Sequence, residues 1–393
     1  MKQSLLCLLM FLSCNAPPCG AQDALHRERV REGTHAIYNL DYDGAQRIFD
    51  QIRKDDPGSP VGYGMAALTA WHKLLYSARN LAVFEYGIPT PFGRAPAPFE
   101  SITPEQQAFL DANKALQDFC DKLLREDPGN ALALYFKGVS FENLSTQALT
   151  IERKYTLAIS HAKAAGKLHR DALALEPALV DAKTSTAVPE FVVGTYNITV
   201  RWIGLLLGLR GNKKAAVAKL TEVMDKGVYR ATDARLVLGM LQAWKGDAKQ
   251  AASLFAGLRA EHPRSFLADL ALATAYEESV KDLKSAIGVY EELLRDMALK
   301  APGIHPAEIH LRIGKDYALL GDYDLAMEHL DKALQSVRGH PETTPLVYYQ
   351  MALIHEKRGD KAAARDCYKQ VAAYSGPSGL IEEEMNRARK KIR

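Results

Sequence analysis

Eleven histidines are the first residues of this 393-residue chain whose chemistry needs testing, because imidazole is the commonest nitrogen ligand for transition metals. Their spacing does not support a metal site. No His-Glu-x-x-His occurs, and the pair His305 and His310 crosses Pro306 at a helix start, so the two rings do not stand one turn apart on one helix face. They are read as turn and surface histidines. The chain has no Cys-x-x-Cys and no phosphate-cradling glycine loop. Ser375-Gly376-Pro377-Ser378-Gly379 has the letters of a nucleophile elbow in the wrong spacing. The sequence therefore supplies no catalytic, metal or cofactor site, and the chain is read as a non-enzyme.

The thiols point to export instead. Of five cysteines, Cys7, Cys14 and Cys19 lie in the first 22 residues, while Cys120 and Cys367 sit far apart inside helical patterns and are expected as buried free thiols. Residues 1–22 have one basic residue, Lys2, an apolar run from Leu5 to Leu12, and then small residues and prolines, the layout of a secretory leader. That run is too short to span a bilayer. Two ends stay open: peptidase cleavage after Ala21, or lipid attachment at Cys14, where Phe11-Leu12-Ser13-Cys14 is similar to a relaxed bacterial lipobox with a larger residue at Leu12. Either implies a periplasmic or outer-membrane-anchored protein. Asn143 and Asn197 head glycosylation triplets, which mean nothing in a bacterium. A net charge of +3, with acids and bases interleaved, leaves no electrostatic footprint for nucleic acid.

The elements that must position any site come from one recurring pattern. Counting Ala307 as position 1, Gly314 falls at position 8, Ala326 at 20, Leu330 at 24 and Ala333 at 27, with Gly321-Asp322-Tyr323 as a turn between two amphipathic helices. Starting at His26, the same positions hold Gly33, Ala45, Phe49 and Ile52, with Pro57 at 32. From Thr232 they hold Gly239, Ala251, Phe255 and Leu258, with Pro263 at 32. This resembles the 34-residue tetratricopeptide (TPR) repeat. Small residues at 8 and 20 let the two helices approach, which predicts Gly314 against Ala326 and Gly239 against Ala251.

The pattern divides the chain into a leader (1–22), a first repeat (23–59), divergent helical repeats (60–230) with a Pro-rich insertion at 79–104, a C-terminal array (231–378) and a capping helix (379–393). Thr103-Pro104 predicts a capped helix running to Glu126, followed by first and second helices at 131–144 and 150–175. The pair at 267–297 is one residue too long. Pro189 to Leu209 is the most apolar stretch, but Asn197, Arg201 and three glycines interrupt it, favouring a buried helix over a membrane span. The middle of the chain also resembles exported bacterial TPR proteins of uncharacterised role.

The resemblance implies an all-α, right-handed α-solenoid of about eight to nine TPR-like hairpins, acting as a protein-interaction scaffold of the cell envelope that holds a partner segment in its concave groove. Inward positions of the C-terminal repeats place Leu236, Met240, Trp244, Leu311, Lys315, Leu319, Tyr349 and Leu353 along that groove. TPR domains that clamp acidic tails use lysine and asparagine where this chain has Val30 and Thr34, which disfavours that partner class. Two other readings stand beside the scaffold. One is a transport-associated solute-binding helical protein, its cavity closed by the insertion. The other, weaker, is an all-helical glycan-active enzyme using paired carboxylates; the Gly-Asp turns at 246, 321 and 359 weigh against it.

Overall fold

The computed structural model describes residues 19–77, 102–152, 154–195, 211–300, 306–337, 343–375 and 382–392. Among them are seventeen α-helices and no strand. They run α1 (Cys19–Tyr38), α2 (Tyr42–Asp55), α3 (Val61–Ser77), α4 (Pro104–Glu126), α5 (Ala131–Thr150), α6 (Tyr155–Leu175), α7 (Thr184–Thr195), α8 (Lys213–Lys226) and α9 (Ala231–Lys245). Then come α10 (Ala248–Glu261), α11 (Phe266–Thr274), α12 (Leu283–Lys300), α13 (Pro306–Leu320), α14 (Tyr323–Gln335), α15 (Thr343–Arg358), α16 (Lys361–Ala372) and α17 (Glu382–Ile392). Successive helices pack as eight hairpins, each also touching the next, and α17 lies against α16 and α15. The chain is an α-solenoid.

The recurring Gly-Asp pair is a stop followed by a start. Gly321 and Gly359 have φ of 85° and 80°, the left-handed conformation that glycine adopts without a steric penalty. The next amide then reaches back to satisfy an orphan carbonyl: Asp322 N donates to Tyr317 O and Asp360 N to His355 O, both at 2.9 Å. The same aspartates accept from Leu325 N and Ala363 N, capping the following helices. In the first hairpin Leu40, with φ of 65°, takes the glycine's place ahead of Asp41. Thr103 caps α4 by accepting from Gln106 N at 3.1 Å, as its sequence implies.

Position 8 does more than let two backbones approach. A Cβ on Gly33 would lie 2.2 Å from the Phe49 ring, and one on Gly239 would lie 2.5 Å from the Phe255 ring. On Gly314 it would meet Leu330 at 2.9 Å and the Ala326 carbonyl at 3.0 Å. The expected Gly314–Ala326 approach is present. At Gly239 the nearest atoms are those of the Phe255 ring. The shared rule is that position 8 is a notch filled by the large residue at position 24.

Two sequence expectations need correction. The first helix of the third hairpin runs six residues past Leu144, to Thr150, and the second starts only at Tyr155. Thr146 and Thr150 extend it by donating to the carbonyls one turn back, Glu142 O at 2.9 Å and Thr146 O at 2.8 Å. Both helices of this hairpin are long, 20 and 21 residues. The extra residue of the 267–297 pair is absorbed by a π-helical turn, Ala275–Val280, which closes on Lys281 at φ 64°.

Within 189–209, the described part belongs to α7, which contains Pro189, and residues 196–210 lie outside the described residues. The chain leaves and re-enters at one point, since a Cβ on Gly211 would fall 2.5 Å from Gly194 N. No helix among the described residues is long and apolar enough to cross a membrane. Cys120 is buried, Cys367 half-buried, and both are free thiols.

Gly239→Leu should cost about 1–3 kcal/mol by forcing the Phe255 ring out of its notch. Thermal unfolding of Gly239→Leu, Phe255→Ala and the double variant measures this. The double variant should be more stable than the sum of the single losses, and strict additivity would refute the notch.

Candidate functional site

Among the described residues, a partly open and mainly apolar cavity of about 220 Å³ lies between the first hairpins and the middle of the chain. The end of α1 supplies Tyr38 and the start of α2 Tyr42, α3 supplies Trp71, His72 and Tyr76, and the end of α5 supplies Thr146 and Thr150. The far wall is Asp233, Leu236 and Met240 of α9 with Phe266 of α11. These α9 residues are the inward positions 2, 5 and 9 of their repeat, so the concave face here is covered by the N-terminal hairpins.

A buried charge knot holds that cover in place. Tyr38 donates its phenolic proton to Asp233 Oδ1 at 2.6 Å, across 195 residues. His72 Nε2 stands 3.5 Å from the same oxygen, and Arg230 Nε lies 2.7 Å from Oδ2. Glu142 approaches Arg230 Nη1 at 3.6 Å. Burial opposes ionisation of Asp233, yet the Arg230 guanidinium and the hydrogen bonds from His72 and Tyr38 prevail and hold the carboxyl below its ordinary range. Asp181, itself buried, fixes Arg230 from behind by accepting the amides of Val228, Tyr229 and Arg230 at 3.0, 2.9 and 2.8 Å. Beside the knot, Asn39 Oδ1 accepts from Arg264 N at 2.8 Å, and the His262 ring packs against His35 and Tyr38 at 5.1 and 5.0 Å. Burial, reinforced by His35, pushes His262 down to about 4, so the ring packs neutral.

The eight groove residues expected from sequence are not brought into one surface. Leu236 and Met240 share the cavity wall. Trp244 is half-buried against Phe191, with ring centroids 6.4 Å apart. Tyr349 is buried edge-on to Tyr368 at 6.0 Å, with Leu353 packed on the same cluster. Leu311 packs into the core around α14, and Leu319 is 64% exposed at the turn into that helix. Cys14 lies outside the described residues. Sequence reasoning missed Tyr38, Trp71, His72 and Arg230, whose partners are too distant along the chain for any periodicity to connect.

Lys315 sits in a second buried network. It donates to Glu277 at 2.7 Å and Glu278 at 3.1 Å, while Arg312 and Tyr290 reach Glu277 at 2.8 and 2.9 Å. Burial raises the Glu277 carboxyl, but Arg312 and Lys315 outweigh it and hold the group at about 2. Asp316, fully buried next door, has no hydrogen-bond partner on either oxygen. Burial and then the Glu277 charge push it up to about 8. Among the described residues no group of three or more metal-ligating side chains converges. His310 and His329 meet each other, Nδ1 to Nδ1 at 3.2 Å, and the His329 ring also packs on Tyr317.

The family model of the tetratricopeptide repeat matches residues 233–265 and 346–375. These two stretches of the solenoid are tetratricopeptide repeats. Those matches begin one residue inside the repeats read from Thr232 and Pro345, so the cavity wall on α9 belongs to a true TPR helix. No curated protein matches the chain in sequence. Among solved structures it is similar to a tetratricopeptide repeat protein from Parabacteroides merdae ATCC 43184, 14% identical over 81% of this chain and 99% of that one, TM-score 0.40. A human IFIT1 dimer with PPP-AAAA is 16% identical over 95% of this chain and 85% of that one, TM-score 0.43. Yeast Tom70 is 10% identical over 94% and 96%, TM-score 0.39. TPR arrays generally mediate protein–protein interaction.

Asp316 predicts a pH effect of fixed sign. Its folded pKa is raised from 3.8 to about 8, so the folded state holds a proton that the unfolded chain has released, and its contribution to stability falls as pH rises from about 4 to about 8. Asp316→Asn should therefore raise the melting temperature more at pH 9 than at pH 5. An equal shift at both would place a charged, solvated carboxylate at this site.

Proposed function

We propose that this TPR protein is a non-enzymatic scaffold of the bacterial cell envelope that captures a segment of a partner protein and anchors it in the cavity between the N-terminal hairpins and α9. The cavity's size carries the proposal. Pockets that enclose whole small molecules run roughly 300–1,000 Å³, and about 220 Å³ suits one or two side chains presented by a longer segment. Its position on inward residues of a TPR first helix favours the same partner type. Leu319, Leu320 and Leu325, exposed together around one turn, give the C-terminal array a second apolar contact outside the cavity.

One observation favours a different reading. The cover formed by Tyr38, Trp71 and His72 closes the concave face to an extended chain at that point, as a transport-associated solute-binding protein would require. Crosslinking with mass spectrometry on native envelopes separates the two. Met240→Trp, which fills the cavity, should remove partner crosslinks to α3 and α9 while leaving the helical circular dichroism signal intact. Crosslinks at wild-type level would overturn the anchoring site.

The leader-like layout of residues 1–22 supports an envelope location, reached by lipid attachment at Cys14 or by cleavage after Ala21. Cys14→Ala should move the protein from the detergent phase to the aqueous phase on phase partition. A wild-type protein that begins at Gln22 and is already aqueous excludes the anchor.

A further inference from the structure

Charge and ring count around the cavity specify what the partner inserts. Five aromatic side chains line it, Tyr38, Tyr42, Trp71, Tyr76 and Phe266, together with the Asp233 carboxylate. Tyr42 and Tyr76 stand 6.2 Å apart and tilted. Aromatic faces carry negative quadrupole density and attract a cation within about 6 Å of the ring centre. An anion or a purely apolar group would gain nothing from this arrangement beyond contact area.

The buried charges lean the same way. Arg230 also reaches the cavity, but it stands between Asp233 and Glu142 and is matched by both. Two carboxylates against one guanidinium leave a negative charge over, even before Asp181 behind Arg230 is counted. His72, 3.5 Å from Asp233, offsets it only when protonated. Asp233 Oδ2 and Arg230 Nε meet as a close ion pair at 2.7 Å, both atoms buried. An incoming carboxylate would have to displace Glu142 or Asp233 from Arg230. An incoming ammonium displaces nothing.

We infer that the cavity receives a lysine side chain of the partner segment, its methylenes against Leu236 and Met240 and its ammonium between the aromatic rings and Asp233. This rests on the anchoring role proposed above and adds the chemistry of the anchor. The tetramethylene stem suits the apolar walls, and its single charge suits the one in excess.

Three probes of matched length test it: n-pentylamine, n-pentanol and pentanoate, titrated against the full chain by calorimetry and by Trp71 fluorescence, with Trp71→Phe as the control. The amine should bind about tenfold or more tightly than the alcohol, and pentanoate should not compete. Nα-acetyl-lysine methylamide should displace pentylamine, and the norleucine analogue should not. Asp233→Asn should abolish the preference for amine over alcohol. Because that variant also cuts the tie to Tyr38, Glu142→Gln provides a second removal of negative charge from a residue outside the cavity wall, and it too should narrow the preference. Equal binding of amine and alcohol, or preferred binding of pentanoate, overturns the lysine assignment while partner crosslinks lost in Met240→Trp keep the anchoring role. Probe binding that survives Met240→Trp, with partner crosslinks unchanged, overturns both.

Discussion

A large side chain dropped into a glycine notch is the contact on which this solenoid depends. Phe49 in Gly33, Phe255 in Gly239 and Leu330 in Gly314 are the same event at positions 24 and 8 of three hairpins. Each is fully buried or nearly so. Two helices of about fifteen residues bury too little alone to offset the entropy of ordering them. The notch lets them close to contact distance, and the outer faces of the pair then become the surface on which the next pair stacks. The α-solenoid follows from repeating that step.

The closure onto the N-terminal hairpins is a different kind of contact and works by a different balance. Arg230 and Asp233 are taken wholly out of water, and the desolvation of such a pair can match or exceed its Coulombic attraction. The knot is therefore weak evidence for stability. Its effect is on geometry: a carboxylate that must meet both a phenol from α1 and a guanidinium beside α9 tolerates one arrangement of the two. Removing either partner strands a charge in the interior, which is more costly than the pair is favourable. A cavity walled by aromatic rings needs such a fixed frame, since apolar packing by itself is adaptable enough to collapse into the space.

What could be read in the sequence was whatever is local. Gly321-Asp322 and Gly359-Asp360 announced turn and cap together because both functions use neighbouring residues. Thr103 capped α4 for the same reason. The break after Thr150 was not legible, since Thr146 and Thr150 are both compatible with the helical period and only their back-bonding shows which helix they join. Inward direction was legible at Leu236, Trp244 and Tyr349; what covers them was not. Register says where a side chain points from its own helix, and Phe191, Tyr368 and Tyr38 come from elsewhere in the chain. Candidate-site chemistry was therefore visible as one half, the α9 face, without the other.

The distance between those halves explains why they can meet at all. Closing a flexible loop between Tyr38 and Asp233 would cost roughly 5 kcal/mol of chain entropy by the logarithmic rule, comparable to a domain's whole net stability. The described part of the intervening chain is α2 and three hairpins whose ordering is already supported by their own notches and caps, so much of the entropy of bringing the ends together is met hairpin by hairpin before Tyr38 reaches Asp233. The same logic makes the knot sensitive to every hairpin between. Gly138, where a Cβ would lie 2.3 Å from the His169 ring, and the Gly194–Gly211 contact each fix the direction in which the next helix leaves. A change in either would be felt at the cavity, which touches neither of them, as a displacement of one wall against the other. In a repeat array built only of nearest-neighbour contacts such a change would stay local; the bond from Tyr38 to Asp233 is what makes it non-local here.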